Sequence, residues 1–280
     1  MEFAFKLAVI LFMAGSLLQL GLVVTLADAV TSLRDWRFLG VAFAFAFLVG
    51  PALAWGITRM LPMAESYAEG LILLGLTPCA PFLPPLVRRA GGDMTRVPAI
   101  MVLSAVGTVV VLPVALPFIL PELAVSAIAI ARPVIGFLLF PCMVGMALLW
   151  AYPATAKAIL IPVERGTHLA AIGALGLCII LYGNNFVDSL GQLAILAQVS
   201  FLVALTSLAY AGSYALNREK RAVIALALST RNVGAALAPL LPVAGSDQRA
   251  IVMVILGIPV QMVIAAVVSA VMARHARPDG

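Results

Sequence analysis

Leu76-Thr77-Pro78-Cys79-Ala80-Pro81-Phe82-Leu83-Pro84-Pro85 interrupts one long apolar run, and Ala227-Leu228-Ser229-Thr230-Arg231-Asn232-Val233-Gly234 interrupts another. The first stretch cannot be one helix. Its four prolines each lack an N–H and clash with the preceding turn. Pro84 or Pro85 suits the first turn of a second half-helix running to Arg89. The second stretch puts a polar run and then Gly234 in the middle of an apolar segment. Such a segment either unwinds or turns a polar cluster toward a cavity, because backbone in hydrocarbon must find partners within the protein.

Outward from these two points the chain is apolar almost throughout. Of its 280 residues, 64% are hydrophobic and 10% charged, with mean hydropathy +1.14, too little charge to clothe a soluble domain of this length. Runs of about 20 apolar residues recur from end to end. They predict an all-α integral membrane protein with nine transmembrane helices at 4–26, 37–58, 67–90, 97–120, 131–152, 167–186, 191–214, 221–243 and 248–272. The expected links are short: Arg34 to Arg37, Arg59 to Glu65, Gly91 to Asp93, Pro153 to Arg165, Arg218 to Arg221 and Gly245 to Asp247. Residues 4–26 also allow a second reading, a cleaved signal peptide ending at Ala27-Asp28-Ala29. Against it, the run is longer than a signal core and carries Ser16 and Gln19.

Nine spans divide 16 of the 17 Lys and Arg residues twelve to four. Arg34, Arg37, Arg88, Arg89, Arg96, Lys157, Arg165, Arg218, Lys220, Arg221, Arg274 and Arg277 share one side; Lys6, Arg59, Arg132 and Arg249 share the other. Basic residues stay cytoplasmic, so the N-terminus is expected outside and the C-terminus in the cytoplasm of a plasma or inner membrane. The net charge of +5 sits in short loops and is no nucleic-acid footprint. Cys79, Cys142 and Cys178 lie in apolar stretches and are expected to pack without disulfides. No grouping of residues suggests a metal or other cofactor.

The interrupted third and eighth spans are five apart and so run in opposite directions. Spans 2–4 would then correspond to spans 7–9 as inverted repeats. Breaks at matched places in two inverted halves point to a midplane transport site, where half-helix N-termini offer free N–H groups and positive dipole ends. Prolines are also common in membrane helices without any such role.

At these breaks the sequence resembles the bile acid:sodium symporter family. Ile72 to Gly92 carries Thr77-Pro78-Cys79-Ala80 where the family has a Cys-Pro-Gly-Gly-like turn. Ser229 to Leu240 carries Asn232, Gly234 and Ala235-Ala236-Leu237-Ala238 in place of an Asn-Ser-Gly-Leu-Ala-like stretch. Gly21 to Asp28 and Pro51-Ala52-Leu53-Ala54-Trp55 read like the family's first spans. The resemblance implies a single transporter domain. A core (37–120 and 191–272) would hold two broken crossing helices, and a panel (4–26 and 131–186) would flank it, in the nine-span form that lacks the family's first helix.

The resemblance also implies which residues should hold sodium, and this chain departs there. A Ser-Asn pair after the first break reads Leu83-Pro84. Hydroxyl ligands on the next span read Val97 and Met101. A Gln before Pro51 reads Ala46, a Glu at the second break reads Ala227, and a Gln before Asn232 reads Arg231. Side-chain oxygens for sodium are therefore nearly absent.

Arg231 carries the functional reading. A charge near the bilayer centre costs about 2.5–3.5 kcal/mol on insertion scales and so faces a cavity or a partner. No Asp or Glu is expected at its depth. It either replaces sodium as a fixed counter-charge for an anionic substrate or ties up carbonyls freed by the first break. Asn232 and Gln261 match substrate-contact positions of the family and equally suit interhelical hydrogen bonding. Thr77, Ser229 and Thr230 flank the breaks and can instead bond their own helix. His168 and His275 lie at span ends, and Asn184, Asn185 and Asp188 in or beside an outer loop. The expected function is secondary transport of a small organic anion by alternating access, independent of sodium. The alternative is a channel or a transport-inactive sensor of the same fold. A membrane enzyme would need a nucleophile with its base, or a metal cluster, and neither is present.

Overall fold

The computed structural model describes residues 1–25, 35–119, 140–191, 193–240 and 248–276. These residues are helical with short connections. In chain order the helices are α1 (Glu2–Val23), α2 (Trp36–Met60), α3 (Glu65–Gly75), α4 (Leu83–Arg89), α5 (Val97–Ile119), α6 (Phe140–Ala151), α7 (Pro153–Gly191), α8 (Ala194–Gly212), α9 (Arg218–Leu228), α10 (Val233–Leu237) and α11 (Gln248–Ala276). Among the described residues, six helices are long and apolar enough to cross a membrane: α1, α2, the helix through Met94–Pro117, α7, α8 and α11. The chain is therefore an all-α, multi-pass membrane protein.

The other three expected spans fall on shorter pieces. Span 67–90 is divided between α3 and α4, and span 221–243 between α9 and α10, with 241–243 outside the described residues. Span 131–152 is described only from Phe140, as α6. Arg34, Arg132, Arg277, Ala27-Asp28-Ala29 and the Gly245 to Asp247 link also lie outside the described residues.

One expected link is corrected. Pro153 to Arg165 is not a loop but the start of α7, a helix of 39 residues. Pro153 opens it at a position where its missing N–H costs nothing, and Ala154, Ala156, Ala158 and Leu160 favour helix over turn. The element kinks at Tyr182, whose φ −124° and ψ 28° are not helical. The run from residue 153 to residue 181 is roughly 43 Å at 1.5 Å per residue, still longer than a bilayer core, so its charged first part extends beyond the hydrocarbon. Lys157, Glu164, Arg165 and His168 are all exposed. Asn184, Asn185 and Asp188 are likewise helical, within the same element.

Proline shapes α2 as well. Pro51 has no N–H for the carbonyl one turn back. The backbone widens into a π turn over Ala44–Val49, and Gly50 N–H bonds Phe45 O five residues earlier. Such single-turn bulges let a helix absorb a misfit without breaking.

Helix α1 packs along α6 and α7 and also touches α10. Gly145 of α6 permits the α1 contact: a Cβ there would come within 2.6 Å of Leu18 O and 2.9 Å of Gly21 Cα. Small residues let membrane helices approach this closely. Helix α11 packs on α3, α7 and α8, while α8 packs on α9. At the basic ends, Asp35 caps α2 by accepting from Phe38 N–H at 3.3 Å and receives Lys220 at 2.6 Å and Arg96 at 3.4 Å. This cluster joins the start of α2 to the first turn of α9 and the turn before α5.

Candidate functional site

The two interruptions meet. With no helix to supply partners, the backbone of residues 77–80 bonds that of residues 230–232. Cys79 N–H donates to Thr230 O at 3.1 Å, and Asn232 N–H donates to Thr77 O at 2.8 Å. Pro78 and Arg231 face each other across this short antiparallel bridge. Each segment thereby satisfies polar groups that lipid could not. Cys79 adopts φ +66°, a left-handed conformation that favours glycine.

Most polar side chains nearby are used to hold this geometry. Thr77 Oγ1 donates to Leu73 O at 3.1 Å, and Ser229 Oγ donates to Leu226 O at 2.8 Å. Thr230 Oγ1 donates back to Ala227 O at 3.1 Å and accepts from Ala80 N–H at 3.1 Å, so it links the two breaks. Asn232 caps α10 by accepting from Ala235 N–H at 3.1 Å. Gln261 of α11 accepts from Arg231 N–H through Oε1. All five residues are buried.

Arg231 differs. Its side chain is 2% exposed, yet Nε and Nη1 have no hydrogen-bond partner. Nη2 donates to Leu228 O at 3.3 Å, and the guanidinium lies 4.9 Å from the centroid of Phe201. It forms no salt bridge with a described residue. It lines a small cavity of about 10 Å³ together with Gln198, Phe201 and Gln261, roughly the space of one water molecule. Gln198 of α8 was not singled out in the sequence. Its Nε2 donates to Met253 O at 2.5 Å, and its Oε1 is buried with no partner. A lone Gln inside an apolar span is itself a signal, since an unmatched amide in hydrocarbon is costly.

The predicted set therefore does not form one pocket. Arg231 and Gln261 line the cavity toward α8. Asn232 lines a second cavity, also about 10 Å³, on the other face of the crossing, with Leu17 and Leu20 of α1, Pro78, Cys79 and Met101. Thr77, Ser229 and Thr230 line neither and sit in the walls between. Helix α10 reaches α1 because residue 234 is glycine: a Cβ there would lie 2.8 Å from Met13 Cγ and 3.2 Å from Met13 Cα. Ala46, Leu83, Val97, Met101 and Ala227 are all buried and offer only apolar side chains.

The profile described as the sodium bile acid symporter family matches residues 8–189, including the first interruption and ending before the second. No curated protein sequence matches the chain.

Proposed function

The chain belongs to the sodium bile acid symporter family, a membrane transport protein and not an enzyme, and we propose that it carries a small organic anion by alternating access without sodium. The observation that carries the reading is Arg231: a buried guanidinium whose Nε and Nη1 have no hydrogen-bond partner among the described residues, at the point where both interrupted helices meet. In this reading spans 2–4 and 7–9 are inverted repeats and form a core that moves against a panel of α1, α6 and α7. The substrate lies on the α1 side of the crossing, near Asn232. Arg231 and Gln261 stand behind it. Thr77, Ser229 and Thr230 fix the backbone that presents the site. The positive charge that sodium would bring is then built into the chain. The basic loops face the cytoplasm, with the N-terminus outside.

Arg231 acts here mainly through its field. A unit charge roughly 8 Å from the anion, about two residue lengths, contributes about 2 kcal/mol at an effective dielectric constant of 20, or about thirtyfold in affinity. The test is anion binding to purified wild type, Arg231→Ala and Arg231→Lys, each in sodium and in choline at equal ionic strength. Carboxylates and sulfonates serve as probes. Arg231→Ala should lose about thirtyfold or more in affinity, while Arg231→Lys keeps most of it because the charge remains and only the planar fork is lost. Wild type should bind equally in both salts. Normal affinity in Arg231→Ala would sink the counter-charge, and a saturable sodium requirement would show that backbone carbonyls suffice for a cation. Saturable uptake distinguishes a carrier from a channel.

A further inference from the structure

A third cavity, sharing no residue with the two at the crossing, lies where α8 ends, α9 begins with Arg218 and α11 ends with Arg274 and His275. It measures about 480 Å³, within the range of about 300–1,000 Å³ common for ligand sites. Its walls are mostly apolar, formed by Ala222 of α9 and by Val267, Val268 and Val271 of α11. Its mouth is cationic. Arg218 lies exposed at the start of α9 and donates one Nη2–H to Met272 O at 2.9 Å. His275 lies in the last turn of α11, with Nδ1 engaged by Val271 O at 2.8 Å, so that Nε2 faces away from that bond. Arg221 stacks over Tyr210, a lining residue, at 4.2 Å. Among the described residues, no Asp or Glu lines the cavity.

We propose that this groove binds one anionic phospholipid, its acyl chain between α8 and α11 and its phosphate at Arg218 and His275. Two observations favour a lipid over a soluble anion. The apolar wall opens sideways through residues on the outer faces of the bundle, with Val267 57% and Val271 47% exposed. The charge of Arg218 and the imidazole of His275 lie at the helix ends and not along the apolar wall, as headgroup recognition at a membrane interface requires. The site shares no lining residue with either cavity at the crossing, so it stands or falls independently of the transport reading.

The experiment reads thermal stability and native-mass lipid retention of the full chain in nanodiscs. Phosphatidylcholine is the background, and phosphatidylglycerol is titrated in. The expected result is a saturable rise in Tm and one retained phosphatidylglycerol. Arg218→Ala should weaken the apparent affinity by about fivefold, the usual contribution of one surface cation, and His275→Gln should weaken it as well. Val267→Trp should abolish the saturable component by filling the groove. Because His275 is exposed, His275→Gln keeps the test open even if Arg218→Ala does not fold. Equal Tm in the two lipids would overturn the proposal. So would a saturable rise that survives Val267→Trp, since it would show surface charge alone. Stabilisation by glycerol 3-phosphate without an acyl chain would assign the site to a soluble phosphate and overturn it as well.

Discussion

Replacing Arg231 by Met separates a functional guanidinium from a structural one. Met has comparable length and no polar group to satisfy. The change removes two buried donor nitrogens, Nε and Nη1, that have no partner among the described residues. An unsatisfied buried donor costs about 1–3 kcal/mol, so the relief is about 2–6 kcal/mol. It also removes the Nη2 bond to Leu228 O and the stack on Phe201. A charged hydrogen bond contributes about 1.5–3 kcal/mol, and a cation–π contact about 0.5–2 kcal/mol. The two sides nearly cancel. The Arg231 N–H bond to Gln261 survives, because it belongs to the backbone. At about 2 °C per kcal/mol for a chain of this size, Tm should stay within about 4 °C of wild type. Were the side chain instead a paired structural tie, its loss should cost about 3–5 kcal/mol, a fall of roughly 6–10 °C. The assay is scanning fluorimetry in detergent, alongside anion affinity on the same samples. A large fall in Tm with affinity preserved would refute the reasoning.

The remaining predictions concern topology, helix contact and pH. Cysteines placed at Arg218 to Arg221 should be protected from a membrane-impermeant thiol reagent added outside, and a cysteine at Asp188 should react; the opposite result at either place would break the proposed orientation. Gly234→Val should push α10 off Met13 of α1, lowering stability by about 1–3 kcal/mol and slowing uptake, so unchanged uptake and Tm would contradict that contact. Burial alone would raise the pKa of Asp35, but the Lys220 hydrogen bond, the Phe38 N–H, and the Lys220 and Arg96 charges outweigh it and hold the carboxyl below its ordinary range. Its folded pKa is thus lower than its unfolded one. The stability it supplies is present above about pH 3.9 and is lost as pH falls through the folded value. Wild type should therefore lose more Tm than Asp35→Asn on acidification from pH 6 to pH 3, and parallel losses would remove Asp35 as a pH-linked anchor.

Much of the helical scaffold was legible because hydrocarbon tolerates few alternatives. The proline cluster at Pro78 to Pro85 and the polar run at Ser229 to Asn232 mark the interruptions without reference to any structure. Pro84 falls in the first turn of α4, where its missing donor is harmless. What the sequence hid is of two kinds. Pro162, Lys157 and Arg165 read as a turn, yet they ride on the exposed surface of α7; a helix that outruns the bilayer can carry charge that a span cannot. Gln198 was passed over as one amide in an apolar span. Its meaning comes from Met253 O, 55 residues away, which holds Nε2 and leaves Oε1 without a described partner in a residue that lines the same cavity as Arg231.

The division of the predicted site has a simple cause. Arg231 and Asn232 are neighbours in sequence, and both are candidate substrate-site residues. In the structure Arg231 sits in a bridged, extended stretch, and successive side chains of extended backbone point to opposite faces. One residue turns toward α8 and the next toward α1. The same extended geometry that lets the two interruptions bond each other therefore separates the charge from the amide. A substrate on the α1 side would feel the guanidinium across a single strand of backbone. In the proposed alternating-access cycle, such an arrangement would keep the cation dry and fixed while the opposite face moves against α1. That is why a Lys at residue 231, which keeps the charge and loses the fork, is expected to preserve most of the affinity, whereas a direct bidentate contact would not survive the exchange.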